Sequence, residues 1–179
     1  MAHIRYVPEE QVPPGDRVAD HDNVIRIHGV HSRVMRNHYE LYAELMRGPG
    51  PLSRFQRELI ALAVSAANAC KYSVGQHVAN LRRIMRVEGW RQADQESFLA
   101  SIVKNHTTAP LAPPDRAMLD YAVKLTRGSS MMSADDIRKL RAARFDDRAI
   151  HDICAIASYF AFANRLADGL GVEAEEGKS

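Results

Sequence analysis

The twenty residues from Glu58 to His77, reading ELIALAVSAANACKYSVGQH, constrain the fold of this chain more than any other stretch. Ala, Leu, Ile, Val and Ser recur at helical spacing, and the many small side chains predict a helix packed closely on several sides. Such a helix seldom keeps a carboxylate and an imidazole without a use for them. One unbroken helix would hold Glu58 and His77 roughly 28 Å apart at about 1.5 Å per residue, too far for shared chemistry. The helix must therefore turn back if the two act together. Asn68 lies near the midpoint, and Asn tolerates the left-handed conformation that ends helices. A helical hairpin folded at Asn68 returns Glu58 to a place opposite His77.

The second arm of that hairpin carries the remaining reactive groups. Ser73 precedes His77 by four residues and Cys70 by seven, so the three share one helix face. Cys70 falls in the first turn, where free backbone N–H groups favour a thiolate. Tyr72, beside them, offers either a hydroxyl to position a ligand or a ring for packing. Read without further context, Glu58 is also accounted for as a helix-start carboxylate, and His77 as a buried ring bonded to a carbonyl.

The pattern Glu58, eleven residues, Cys70, two residues, Ser73, three residues, His77 resembles the signature of the alkylhydroperoxidase D-like proteins of the carboxymuconolactone decarboxylase superfamily. PLSRFQRELI ahead of the motif, LRAARFDD near residue 145 and YFAFANRLADGLGV near the end resemble its peroxidase-related branch. The resemblance runs from about His31 onward. It implies an all-α fold with a central helical hairpin, and assembly as a homo-oligomer (dimer, trimer or hexamer). It also implies reduction of hydroperoxides by two cysteines that cycle between dithiol and disulfide, the second activated by a glutamate and histidine relay. Cys70 matches the first cysteine, Glu58 the relay carboxylate and His77 the relay imidazole. Ser73 stands where the second cysteine is expected. A hydroxyl forms no disulfide and has no accessible sulfenic state, so the two-cysteine cycle is closed to this chain.

Three functional readings follow. In the first, a peroxidase-related oxidoreductase uses Cys70 alone: a peroxide oxidises the thiolate and an external thiol reductant restores it. In the second, Glu58 and His77 move protons on a small organic acid or lactone without redox chemistry. Ser73 beside His77 suggests a Ser-His-Glu arrangement, but no nucleophile elbow accompanies it. In the third, the chain is an oligomeric binding protein that has kept the fold and lost the chemistry.

Composition narrows the rest. At 179 residues the chain is long enough for one domain with a real core, and no linker divides 1–179. A net charge of +2 gives no electrostatic reason to expect nucleic acid, and Arg82, Arg83, Arg86 and Arg91 read as a solvated helix face or an oligomer contact. Two cysteines make no disulfide framework, and Cys154 in an apolar helix reads as inert packing. No haem, flavin or nicotinamide motif is present. No apolar run is long enough to cross a bilayer and no secretory signal is visible, so a reducing cytoplasm is the expected setting. His28 and His31 have a spacing that can chelate a metal, but no Cys or carboxylate completes a ligand set; with His21 and His38 they read as surface or packing residues, and no metal or cofactor is expected.

Along the chain, residues 1 to about 18, with Pro8, Pro13, Pro14 and Gly15, predict an arm ordered only if it lies on something. One or two helices follow between Asp20 and Arg47, stopped by Gly48-Pro49-Gly50-Pro51. Ser53 with Gln56 predicts a capping box opening the motif helix, and Gly89 a cap closing the second arm, with Trp90 plugging its end. Helices are predicted over Gln92–Lys104, after Pro113 and Pro114, after the Ser133–Asp136 cap, and over Asp147–Ala167, with a loop from Asn105 to Pro114. Asn164, Arg165 and Asp168 read as structural, with Arg165 and Asp168 closing a subunit interface. Glu173–Ser179 reads as a frayed tail.

Overall fold

Ser53 opens the helix around which the others pack. Its hydroxyl accepts from the Gln56 backbone N–H at 3.1 Å, and the Gln56 side chain accepts from the Ser53 N–H at 3.1 Å, the capping box expected from the sequence. The helix spans Arg54–Ala67, and Arg57 through Ser65 are buried without interruption, nine consecutive residues. A helix buried all round needs cover on every side, and its small Ala and Ser side chains let neighbours approach closely.

The computed structural model describes residues 2–175, and no strand forms among them. Its helices are α1 (Asn23–Arg26), α2 (Ser32–Arg47), α3 (Arg54–Ala67), α4 (Lys71–Val87), α5 (Gln92–Asn105), α6 (Pro113–Arg127), α7 (Ala134–Ala142) and α8 (Asp147–Leu170). Short 3-10 turns punctuate the connections. α4, α6 and α8 press most closely on α3. Leu59, Ile60 and Leu62 of α3 meet Leu81 and Met85 of α4, Met118 and Leu119 of α6, and Ile153 and Ile156 of α8 in one fully buried interior. Arg57, also buried, donates to the carbonyls of Leu45 (3.0 Å), Gly48 (2.8 Å) and Leu52 (3.1 Å), pinning the proline-glycine turn between α2 and α3. The residues expected to form one or two helices before that turn form α1, a 3-10 turn over Ile27–His31, and α2.

The hairpin between α3 and α4 is present, but its turn residue differs from the sequence expectation. Asn68 stays right-handed (φ −85°, ψ −6°), and Ala69 takes the left-handed position at φ 57°. The Ala69 N–H bonds to Ala66 O and the Cys70 N–H to Ser65 O, both at 3.0 Å, which is the Schellman closure. Ala69 is exposed, so its methyl group meets solvent and the burial of both arms outweighs the strained backbone. Three more helices end with the same pair of bonds: at Gly89, as expected, at Arg144 and at Gly171. α8 runs three residues past the expected end at Ala167, with Gly169 inside it.

The N-terminal arm lies on the helical body. Val12 is buried with Ile25 and Met35, and Ala2, Ile4 and Tyr6 pack on a small apolar cluster of Ile27, Cys70, Ala167 and Val172. The His3 N–H donates to Leu170 O at 2.8 Å. A side chain at Gly171 would strike the His3 ring at 2.7 Å. Part of the expected frayed tail is also tied down: Asn23 donates through its side chain to Glu173 O (3.0 Å) and through its backbone N–H to Glu175 Oε1 (2.7 Å). Residues 176–179 of that tail lie outside the described residues.

Of the histidines, His28 and His38 are packed inside and His31 is exposed at the N-cap of α2, accepting from the Val34 N–H at 3.4 Å. His38 on α2 bonds through Nδ1 to His28 Nε2 (2.8 Å) and through Nε2 to the hydroxyl of Tyr159 on α8 (2.6 Å). Burial, with the neighbouring imidazole, lowers His38 to about 4; burial and His31 lower His28.

Two predictions follow from this packing. Ala69→Gly relieves the left-handed backbone without removing a buried contact, and raises unfolding free energy by about 0.5–1 kcal/mol in urea titrations. Because His38 titrates lower in the fold than in the unfolded chain, the unfolded chain binds more protons between pH 6.5 and about 4. Stability is therefore full above pH 6.5 and falls on acidification, by ~3 kcal/mol over that window from His38 alone. Urea midpoints measured between pH 6.5 and 5 should slope downward in the parent and flatten in His38→Gln.

Candidate active site

Glu58 sits in the second turn of α3 with no exposure, and His77 comes from the middle of α4, 5% exposed. The hairpin brings them into contact: His77 Nδ1 lies 2.8 Å from Glu58 Oε2. Asn80, one turn beyond His77, donates to both carboxylate oxygens at 3.3 Å, and Arg54, one turn before Glu58, lies 3.5 Å from Oε1. Burial pushes the Glu58 carboxyl up, but the hydrogen bond and charge of His77, with Arg54 and Asn80, more than offset it and hold the group below the usual carboxylate range. Glu58 is thus an anion in the protein interior. In the neutral ring its partner Nδ1 carries the hydrogen, which leaves Nε2 as the basic atom. Phe160 of α8 meets the ring edge to face, centroids 4.5 Å apart, and fixes its plane.

His77 lines a cavity of about 40 Å³, together with Tyr42, Tyr72, Ser73, Asn80, Tyr159 and Phe160. That is room for a few water-sized groups. Ser73 is one helical turn before His77 on the same face, as the spacing predicted. Asp20 also borders the cavity and bonds to Arg47 at 3.2 Å, and the Arg47 guanidinium lies over the Tyr42 ring at 5.2 Å. Burial, with the nearby Glu58 charge, pushes the Tyr42 hydroxyl up to about 12. The Tyr72 hydroxyl is engaged elsewhere, donating to Glu175 Oε1 (2.8 Å) and accepting from the Val24 N–H (3.3 Å), while its ring forms cavity wall.

Cys70 departs from expectation. It is the N-cap of α4, has no exposure, and does not line the cavity. It shares an apolar cluster with Ile27, Ala167 and Val172, on which Ala2, Ile4, Tyr6 and Leu170 pack. Burial raises the thiol above its ordinary value; the hydroxyl and backbone N–H of Ser73 oppose this, and Asp168 adds to the rise. The helix N-terminus therefore does not produce a thiolate here, because desolvation outweighs it. The Cys70 Sγ–H points to Ser73 Oγ at 3.5 Å. Cys154 packs on the main interior, in a different apolar cluster from Cys70, and both cysteines are free.

Asn164 is fully buried and its Oδ1 lies 3.3 Å from Ser65 Oγ, while Arg165 is exposed and donates to Ala161 O at 2.7 Å. Arg82 and Arg91 pair with Glu96 and Asp94 on the surface. Among the described residues, no cluster of three or more His, Cys, Asp or Glu side chains is placed to hold a metal, and no helix is long and apolar enough to cross a membrane. The sequence reading missed Asn80 and Arg54, although each stands one turn from a site residue and on its face. Tyr42, Tyr159 and Phe160 carried no such signal, because only the tertiary fold brings α2 and α8 to the hairpin.

The profile of the carboxymuconolactone decarboxylase family matches residues 33–85, a span that contains Glu58, Cys70, Ser73 and His77. No curated protein matches the chain. Among solved structures, a peroxidase-related protein from Silicibacter sp. TM1040 is 30% identical with a TM-score of 0.77, covering 86% of this chain and 76% of its own. A peroxidase-related protein from Ralstonia eutropha JMP134, described as an alkylhydroperoxidase AhpD core, is 26% identical with a TM-score of 0.86, covering 99% of this chain and 94% of its own. The debrominase Bmp8, solved with 2,3,4-tribromopyrrole, is 15% identical with a TM-score of 0.71 over 88% of this chain and 79% of its own, a likeness of fold alone. With an all-α fold, a hairpin that joins Glu58 to His77 and this degree of identity, the chain belongs to the AhpD-like proteins of the carboxymuconolactone decarboxylase superfamily.

Proposed function

We propose that this protein is an enzyme in which Glu58 and His77 transfer a proton to or from a small, oxygen-bearing substrate, such as an organic acid or lactone, held beside Ser73. One observation carries this reading. His77 is oriented through Nδ1 by a buried carboxylate at 2.8 Å and borders the cavity, whereas Cys70 is sealed away from it. A carboxylate-oriented imidazole is a competent general base. Ser73 supplies a hydroxyl to hydrogen-bond the substrate. It cannot supply the disulfide chemistry of two-cysteine relatives.

A second reading is peroxide reduction at Cys70 alone, favoured by the Cys70–Ser73 contact and by the peroxidase-related names of two structural relatives. The thiolate would attack a hydroperoxide, releasing alkoxide and leaving a sulfenic acid, and two external thiol equivalents would restore it as disulfide and water. The apolar side chains packed around Cys70 would first have to uncover the sulfur.

The two readings separate in one set of assays. Small keto acids and lactones incubated in D2O are followed by NMR for deuterium uptake next to the carbonyl, and tert-butyl hydroperoxide consumption is followed with a dithiol. We expect His77→Gln to lower deuterium uptake about 100-fold and Cys70→Ser to leave it within about two-fold. Loss in Cys70→Ser of hydroperoxide consumption, with no deuterium uptake in the parent, would replace the first reading by the second. His77→Gln leaves a buried carboxylate without its main partner and should lower stability by about 3 kcal/mol, so assays run well below its melting temperature. Adding Glu58→Gln should restore part of that loss in a double-mutant cycle.

A further inference from the structure

A row of hydrogen-bonded side chains leads away from the wall of the cavity. Tyr159 borders the cavity that contains His77, and its hydroxyl lies 2.6 Å from His38 Nε2. His38 Nδ1 in turn lies 2.8 Å from His28 Nε2. All three side chains are buried, at 5%, 5% and 7% exposure. Packing alone would be better served by apolar residues here, since each buried polar group must find a partner.

Counting donors sharpens the point. With both rings neutral, Tyr159, His38 and His28 hold three hydrogens, and the two bonds between them use two. One is left over, and it stands at one end of the row or the other. In one arrangement Tyr159 donates to His38 Nε2, His38 Nδ1–H donates to His28 Nε2, and the spare hydrogen is on His28 Nδ1. In the other, His28 Nε2–H donates to His38 Nδ1, His38 Nε2–H donates to Tyr159, and the hydroxyl hydrogen is free to face the cavity. Switching between them moves one proton the length of the row, and both rings remain neutral.

We infer that Tyr159 is a proton donor to the substrate, recharged through His38 and His28, and that this path is separate from the Glu58–His77 pair. The inference rests on the reading of the cavity as a proton-transfer site and deepens it: the substrate is one on which negative charge develops at oxygen as His77 removes a proton from carbon. Tyr159 gives its hydrogen to that oxygen and takes one from His38 Nε2; His38 Nδ1 takes one from His28 Nε2; His28 Nδ1 takes one from water. One proton leaves solvent and one reaches the substrate, with Tyr159, His38 and His28 neutral before and after. The charged and titratable groups around the row are His31 beside His28, Tyr42, whose ring is 6.1 Å from that of Tyr159, and the Asp20–Arg47 pair. His38 and His28 are positioning residues in this scheme, and Tyr159 is catalytic.

Two measurements on the full chain test it. Long-range 1H–15N spectra at pH 7 report which ring nitrogen of His38 bears hydrogen and require no substrate. Hydrogen on Nε2 for all or part of the time is expected; Nε2 wholly unprotonated would overturn the inference, since Tyr159 would then be committed to His38. Where the parent exchanges deuterium into a keto acid or lactone, Tyr159→Phe should lower kcat about 100-fold and His38→Gln about 10-fold, with KM changed by less than about two-fold in each. A Tyr159→Phe enzyme with kcat within about two-fold of the parent would also overturn it. Absence of exchange in the parent counts against the proton-transfer reading itself, and the spectra then decide the hydrogen-bond row alone.

Discussion

The hydrogen bond between Glu58 and His77 is the interaction on which the rest of the arrangement depends. An ionised carboxylate in the interior of a helical protein is tolerated only with strong partners, since its transfer from water costs several kcal/mol. Here the partners come from both arms of one hairpin: Arg54 from its own helix, His77 and Asn80 from the returning helix. The turn at Ala69, the close approach of α4 to α3 and the cover given by α8 all serve to keep this charge satisfied. Because α3 is buried from Arg57 to Ser65, an error in register between the arms would strand the carboxylate in an apolar setting.

Much of this was legible in the sequence, for identifiable reasons. Helix starts are written in short-range chemistry, and both the Ser53 capping box and the Ser133–Asp136 box are present where side-chain identity placed them. Glycine ends were read well at Gly89. Ala69 and Arg144 were not, because nothing in an alanine or arginine announces a left-handed backbone; only the bonds back to Ser65 and Leu140 enforce it. The meeting of Glu58 with His77 was inferable from chain geometry, since a single helix excluded it. The tyrosines and Phe160 on the far side of the cavity were not, because they belong to helices remote in sequence.

The fate of Cys70 shows where local reasoning gives way. An N-terminal position on a helix stabilises a thiolate through a fraction of a charge and a free N–H, effects of about 1 kcal/mol. Complete burial beneath apolar side chains acts in the opposite sense and with greater force. The outcome is a neutral thiol bonded to Ser73, outside the cavity that His77 lines. With a hydroxyl at Ser73 and the sulfur of Cys70 buried, His77, oriented by Glu58, is the acid–base group that borders the cavity.

The apolar cluster that holds that sulfur draws on segments far apart in sequence, Ala2, Ile4 and Tyr6 on one side and Leu166, Ala167, Leu170 and Val172 on the other. Loosening either segment from this cluster would admit solvent to the sulfur, so the rate at which an alkylating reagent reaches Cys70 reads out how firmly these distant segments are held together.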